Sequence, residues 1–137
     1  MTLLSIKGLR VEYPGRKGTF VAATGVDLTV ARGEILGLVG ESGAGKSTIG
    51  SAIMGLLDFP GRVTAGEILF EGQKIDATDR AALQALRGRR ISMIFQDPLT
   101  SLNPIYTVGH QLIETIQSHL PLDHAGARKR AVEMLDA

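Results

Sequence analysis

Apolar residues recur through the start of the chain at Leu4, Ile6, Leu9, Val11 and Tyr13, with a slip in the alternation near Gly8. A period close to two predicts a strand over residues 3 to 13. Phe20 to Val30 alternates at Val26, Leu28 and Val30, and the basic, glycine-bearing stretch Pro14 to Gly18 makes the turn between two antiparallel strands. After a turn at Ala31-Arg32-Gly33 comes Ile35 to Val39, an apolar run broken only by Gly37. Such a run is expected of a strand buried on both faces. The period then lengthens: Ile49, Ile53, Leu56 and Leu57, with Ala52 on the same side, predict a helix that stops at Asp58-Phe59-Pro60-Gly61. Short strands are predicted at Val63 to Ala65, Glu67 to Phe70 and Gln73 to Ile75. Asp79 caps a short helix that runs through Arg87 with Leu83 and Leu86 on one side and ends at Gly88-Arg89-Arg90. Ile91 to Phe95 is a further apolar strand. Asp97 to Gly109 is a loop of turn formers in which Thr107 caps the next helix, whose face is Leu112, Ile113, Ile116 and Leu120 and whose stop is Pro121. A last helix begins near Asp123 and aligns Ala127, Ala131, Met134 and Leu135.

One tension runs through this pattern. A strand buried on both faces needs parallel neighbours, and only Ile91 to Phe95 volunteers. The sequence therefore reads as the first part of a larger domain, and the isolated chain is expected to expose apolar strand edges and aggregate.

Composition narrows the classes. At 137 residues, 44% hydrophobic and 21% charged, the chain is globular in type and long enough for one modest core. A net charge of +1 gives no reason to expect nucleic acid as a partner. The absence of cysteine excludes disulfides and thiolate metal sites. Met1 to Arg10 is too short and interrupted for a signal peptide, and no stretch approaches the roughly 18 apolar residues of a membrane span. Association with a membrane is expected to pass through another protein.

The candidate chemistry lies between the buried run and the first helix. Gly40 to Ser47 fits G-x-x-x-x-G-K-[ST], the loop that cradles phosphates, in the order strand, loop, helix that such a loop requires. Gly40, Gly43 and Gly45 let the backbone curl around an anion, and the helix that follows adds its positive N-terminal end. Lys46 is read as the point charge for the β- and γ-phosphates, Ser47 as the hydroxyl for magnesium and Thr48 as a contact to the α-phosphate. Glu41, Ser42 and Ala44 complete the loop. The plain alternative is a glycine-rich turn that merely precedes a helix.

Tyr13 is either an aromatic on a strand face or a platform for a purine base, exposed at the strand end. Gln96 and Asp97 fall where a buried strand meets its C-terminal edge, the place where ligands gather in α/β sheets. Pattern alone leaves open whether Asp97 holds magnesium through water or Gln96 is the working residue and Asp97 only opens the turn before Pro98. His110, His119 and His124 lack paired ligand spacing and read as surface residues. Arg87, Arg89 and Arg90 read as a solvated helix end, and Arg128-Lys129-Arg130 as a polar helix face.

Together these pieces resemble the ATP-binding subunits of ABC transporters. Gly40-Glu41-Ser42-Gly43-Ala44-Gly45-Lys46-Ser47-Thr48 is similar to the family's Walker A segment, Met93 to Pro98 looks like its Q-loop, and Tyr13 stands where the family places its adenine-stacking aromatic. The wording Gln96-Asp97-Pro98-Leu99-Thr100-Ser101-Leu102-Asn103-Pro104 is similar to the dipeptide, oligopeptide and nickel importer branch. The resemblance implies an α/β fold: a partial P-loop nucleotidase core (33–57 and 90–96), an antiparallel β subdomain (1–30 and 62–75) and the start of a helical subdomain (97–137). It implies ATP and Mg2+ as cofactors. Gln96 would touch the metal and the attacking water, which favours it over Asp97, and Lys46 and Gln96 would be the catalytic groups. Implied partners are transmembrane permease subunits, a second ATP-binding subunit, identical or different, and indirectly an extracytoplasmic solute-binding protein. The expected location is the cytoplasmic face of the inner membrane, as a peripheral subunit.

The departures are also informative. These residues contain no Leu-Ser-Gly-Gly-Gln signature, no Walker B strand with its glutamate and no switch histidine. Met134-Leu135-Asp136 is too short to substitute, with Glu133 interrupting it, and Ile68 to Glu71 belongs to the antiparallel arm. The 137 residues alone are therefore expected to bind nucleotide weakly and to hydrolyse it poorly. Two alternatives stand beside the importer ATPase: a truncated, non-catalytic nucleotide-binding module, and a soluble P-loop ATPase or GTPase that uses Asp97 for magnesium.

Overall fold

The alternation over the first thirty residues becomes a long antiparallel hairpin, β1 (Thr2–Gly15) and β2 (Gly18–Ala31), in the computed structural model, which describes residues 1–96 and 101–136. Gly15 faces Gly18 across a turn at Arg16 and Lys17. The slip expected near Gly8 is a register shift: Ile6 faces Leu28, but Leu9 faces Val26. The main-chain amide of Gly8, at φ 57°, donates to Asp27 Oδ1 at 2.7 Å, so the extra residue does not leave its donor unpaired. β3 (Arg62–Phe70) pairs with the other edge of β1, and β4 (Gln73–Lys74) pairs with β3, giving a four-stranded antiparallel sheet in the order β2-β1-β3-β4. Val63 to Phe70 is thus one strand rather than two. Gly66, at φ 85°, carries the strand across the β1 bulge, where a Cβ would lie 2.5 Å from the carbonyl oxygens of Lys7 and Gly8.

Residues Met1–Ile91 form one compact unit and those from Ser92 onward a second. In the first, Ile6, Leu9 and Val11 of β1 are fully buried, together with Ala23, Ile68 and Phe70 of the neighbouring strands. α1 (Lys46–Met54) adds Ile49 and Ala52 to this core, Ile75 follows β4 into it, and α2 (Arg80–Leu86) adds Leu83. Each buried aliphatic contributes roughly 1.5–3 kcal/mol, so this cluster holds the sheet and both helices together. In the second unit, α3 (Val108–His119) and α4 (His124–Leu135) pack through Ile113 and Ile116 against Ala127 and Ala131, with Leu112 alongside.

Several expectations need correction. Ile35 to Val39 is not a strand here: its backbone is irregular, and Ile35 and Val39 are 98% and 94% exposed. Ile91 to Phe95 makes only one isolated parallel bridge, Arg87 to Ile91, and leaves Ile94 and Phe95 exposed. The reason is common to both. A strand satisfies its amides and carbonyls only through neighbours, and among the described residues no parallel strand lies beside either run. The α1 helix ends at Met54, with Gly55 at φ 62° as its C-cap, so Leu56 and Leu57 lie beyond it. Leu120 follows α3 rather than belonging to its face, and Met134 and Leu135 are exposed, because Ala127 and Ala131 alone meet α3.

Candidate functional site: the phosphate loop

The loop is suspended between β2 and α1. Past Ala31 the chain turns at Arg32 and Gly33, and Glu34 N donates back to Ala31 O at 3.2 Å. Residues 34–40 follow without regular structure, and Glu41 O accepts from Ala44 N at 3.2 Å as the loop begins to close. Gly43 and Gly45 sit at φ 83° and 84°, a region that favours glycine. Gly45 has a second constraint, since a Cβ there would lie 2.4 Å from the Ala22 carbonyl oxygen. The loop is therefore pressed against the backbone of β2 at the point where α1 starts.

That start has the chemistry of an anion site. Gly45 is the N-cap of α1 and offers no side-chain hydrogen bond, and the first turn holds no acid. The first amides of a helix lack partners within it, and they carry the positive end of its dipole. Lys46 Nζ bends back over the loop and donates to Gly40 O at 2.8 Å and Glu41 O at 2.6 Å. A cation, uncapped amides and a glycine backbone thus converge on one concave turn. These residues fit a phosphate group. Ser47 is exposed on the first turn of α1 and Thr48 is half-buried beside it, so a hydroxyl is available for a hard cation next to that phosphate. Ile49 and Ala52, both buried, fix the helix beneath.

The residues from Gly40 to Thr48 thus lie together on one turn and the start of α1. Tyr13 is placed differently from the expectation. It is half-buried and packed on the core rather than exposed, and its ring lies over Gly61, where a Cβ would be 2.4 Å from Tyr13 Cε1. The glycine after Pro60 gives this ring a flat seat, which a strand pattern does not reveal. Gln96 is exposed and belongs to the second unit. Asp97, the rival magnesium ligand, lies outside the described residues. His110 and His124 are exposed and His119 is half-buried; among the described residues no cluster of His, Cys, Asp or Glu has the make-up of a metal site.

The basic cluster after α2 is only partly a solvated helix end. Arg87 is half-buried, and its guanidinium donates to the Met54 and Gly55 carbonyls at the end of α1. Arg90 is exposed, lies 5.5 Å over the Phe70 ring and pairs with Glu71, which also accepts from Arg32 at 2.5 Å. Arg90 and Arg32 hold the Glu71 carboxyl below the ordinary value of 4.5: the Arg90 hydrogen bond contributes most, and desolvation opposes it. Arg87, Arg90 and Arg32 meet partners far away in sequence, so no local signal marks them.

Residues 23–136 match the family model described as ABC transporter. The dipeptide transport ATP-binding protein DppD of Escherichia coli strain K12 is 43% identical over 136 residues, which is 99% of this chain and 42% of that protein. The oligopeptide transport ATP-binding protein OppD of Bacillus subtilis strain 168 is 44% identical over 135 residues, 98% of this chain and 38% of that one. The chain thus spans about two fifths of these curated relatives. Among solved structures, a dimeric, post-hydrolysis state of the ATP-binding cassette MJ0796 bound to ADP and Pi superposes with a TM-score of 0.78 at 24% identity, covering 98% of this chain and 56% of that one. That likeness shows the fold, the one shared with that ATP-binding cassette. With the family model spanning most of its length, the chain belongs to the ABC transporter family.

Proposed function

We propose that this chain is the ATP-binding portion of an importer ATPase that energises uptake of peptides, or of nickel, across a membrane. The observation that carries the proposal is Lys46 folded over the Gly40 and Glu41 carbonyls at the uncapped start of α1. A triphosphate offers this lysine charged oxygens in place of two neutral carbonyls, and charge-assisted hydrogen bonds are roughly twice as strong. In this reading the loop amides and Lys46 would hold the β- and γ-phosphates, Thr48 would reach the α-phosphate, and Ser47 and Gln96 would be the contacts to Mg2+. Tyr13, half-buried, would stack on the base. When bound, the metal neutralises charge that develops on the transferred phosphoryl group. Positioning by Lys46 and Gln96 is this chain's own contribution. Hydrolysis also needs a base and a signature segment that are not among these residues.

The same proposal assigns the partners: transmembrane permease subunits, a second ATP-binding subunit, and indirectly a solute-binding protein outside the cell. It places the subunit peripherally on the cytoplasmic face of the membrane. Among the described residues no helix is long and apolar enough to cross a membrane, so anchoring through the permease suits this reading. Titration with MgATP tests the nucleotide site. Lys46→Ala is expected to lower affinity at least a hundredfold; near-native affinity in the variant would overturn the proposal.

A further inference from the structure

The phosphate loop is held where α1 starts by the contact of Gly45 with β2. What holds the other end of its helix is a guanidinium 33 residues away in sequence. We propose that Arg87 is a positioning residue for the phosphate loop, fixing α1 by its C-terminal carbonyls and through them the placement of Lys46. The proposal rests on the nucleotide-binding role of that loop.

Three observations carry it. The last carbonyls of a helix have no partners within it and must find others. Here Ser51 O accepts from Leu56 N at 2.7 Å and Ala52 O from Gly55 N at 3.1 Å. The next pair outward, Met54 O and Gly55 O, accept from Arg87 Nε and from one terminal nitrogen of its guanidinium, each at 2.8 Å. The planar fork of an arginine meets two adjacent carbonyls at once, whereas a lysine presents a single point. Second, the charge is placed where it acts. A cation at the C-terminal end opposes the negative pole of the helix dipole, and the half-burial of Arg87 limits screening by solvent. Third, the chain leaves room for it. Gly55 lacks a Cβ at the place where one would lie 2.7 Å from Leu83 Cδ1 and 3.0 Å from the Arg87 terminal nitrogen. Leu83 stands one turn before Arg87 and is buried in the core, so α2 delivers both side chains to the same helix end.

The consequence follows from rigidity. α1 has nine residues, about 13 Å of helix, and a rod of that length transmits a shift at one end to the other. Misplacement of a binding group by about 1 Å costs up to a hundredfold in function. Arg87 thus acts on the phosphates through α1 and touches none of them.

The test uses the natural gene product carrying this chain, titrated with MgATP well below the melting temperature of every variant, with far-ultraviolet circular dichroism as the check on folding. Arg87→Ala is expected to weaken affinity roughly tenfold, and Arg87→Lys to recover only part of it, because charge returns without the fork. Hydrogen exchange supplies a readout that a merely structural role would not move: the amides of residues 49–52, the first of α1 with acceptors in the preceding turn, should lose protection in both variants while those of β1 keep theirs. Should Arg87→Ala fail to fold, Arg87→Lys decides alone. A folded Arg87→Lys with native affinity and native exchange at 49–52 overturns the proposal. Lys46→Ala, measured in parallel, separates the two levels. Loss of binding there with native affinity in Arg87→Lys removes only the role of Arg87, whereas native affinity in Lys46→Ala removes the nucleotide site itself.

Discussion

Two glycines of the phosphate loop share a backbone conformation and differ in what surrounds them. Gly43 lies at φ 83° with nothing within 4 Å of where its Cβ would be, and Gly45 lies at φ 84° with the Ala22 carbonyl oxygen 2.4 Å from that point. An alanine at either place pays the strain of a left-handed residue, of order 1–2 kcal/mol. At residue 45 the loop must also move away from β2, because a backbone carbonyl in a sheet cannot yield as a side chain does. We therefore expect Gly45→Ala to lower stability by about 1–2 kcal/mol more than Gly43→Ala in urea denaturation, and to cost more MgATP affinity. Equal losses in the two variants would show that contact with β2 does not position the loop. The glycine spacing is legible in the sequence as a phosphate loop. That one of these glycines is fixed by sterics against Ala22 is not, since Ala22 lies 23 positions earlier and its approach depends on the folded sheet.

At the scale of elements, Glu71 ties three connections together: the turn after β2 through Arg32, the β3–β4 hairpin that carries it, and the turn after α2 through Arg90. Its carboxyl is held below its ordinary value, so its ionised form is favoured in the folded state. The sign follows directly. The contribution is fully present above pH 4.5, the ordinary value, and is lost as pH falls through the lower folded value. Glu71→Gln should therefore leave a shallower loss of stability below pH 4.5 than the native chain shows. Because the three side chains are exposed, the difference should shrink as salt is raised to about 1 M. Thermal melts between pH 3 and 7 at low and high salt check both; identical acid limbs would mean that the pairing is incidental. Elements whose causes are local were readable from sequence. Asp79, Thr107 and Asp123 cap their helices through the amides of Ala82, His110 and Gly126, three residues on in each case. The bulge at Gly8 announced itself as a break in alternation. Arg87 and Glu71 were not readable, because their partners are 32 and 33 residues away for the first and 39 and 19 for the second.

The chain combines a strong antiparallel arm with apolar segments that have no strand partner among the described residues. Ile6, Leu9 and Val11 are sealed inside, while Ile35, Val39 and Ile94 are 98%, 94% and 96% exposed. Side chains of this kind are single exceptions on most surfaces; here they come in runs, at 35–39 and 94–95, on backbone without regular structure. Local hydrophobicity makes both runs look like buried strands, yet both are exposed. What it could not supply is the neighbouring strand, since a sheet is a long-range structure whose hydrogen bonds come from elsewhere. An unpaired apolar edge recruits whatever can pair with it, another copy included. The isolated 137-residue chain should accordingly self-associate at tens of micromolar, sedimenting well above 14.6 kDa and binding a hydrophobic dye. Ile35→Lys with Val39→Lys should reduce both signals without touching the β1–β3 core, because neither side chain contributes to it. A monomer of 14.6 kDa that melts cooperatively and binds no dye would show instead that these runs find partners within the chain.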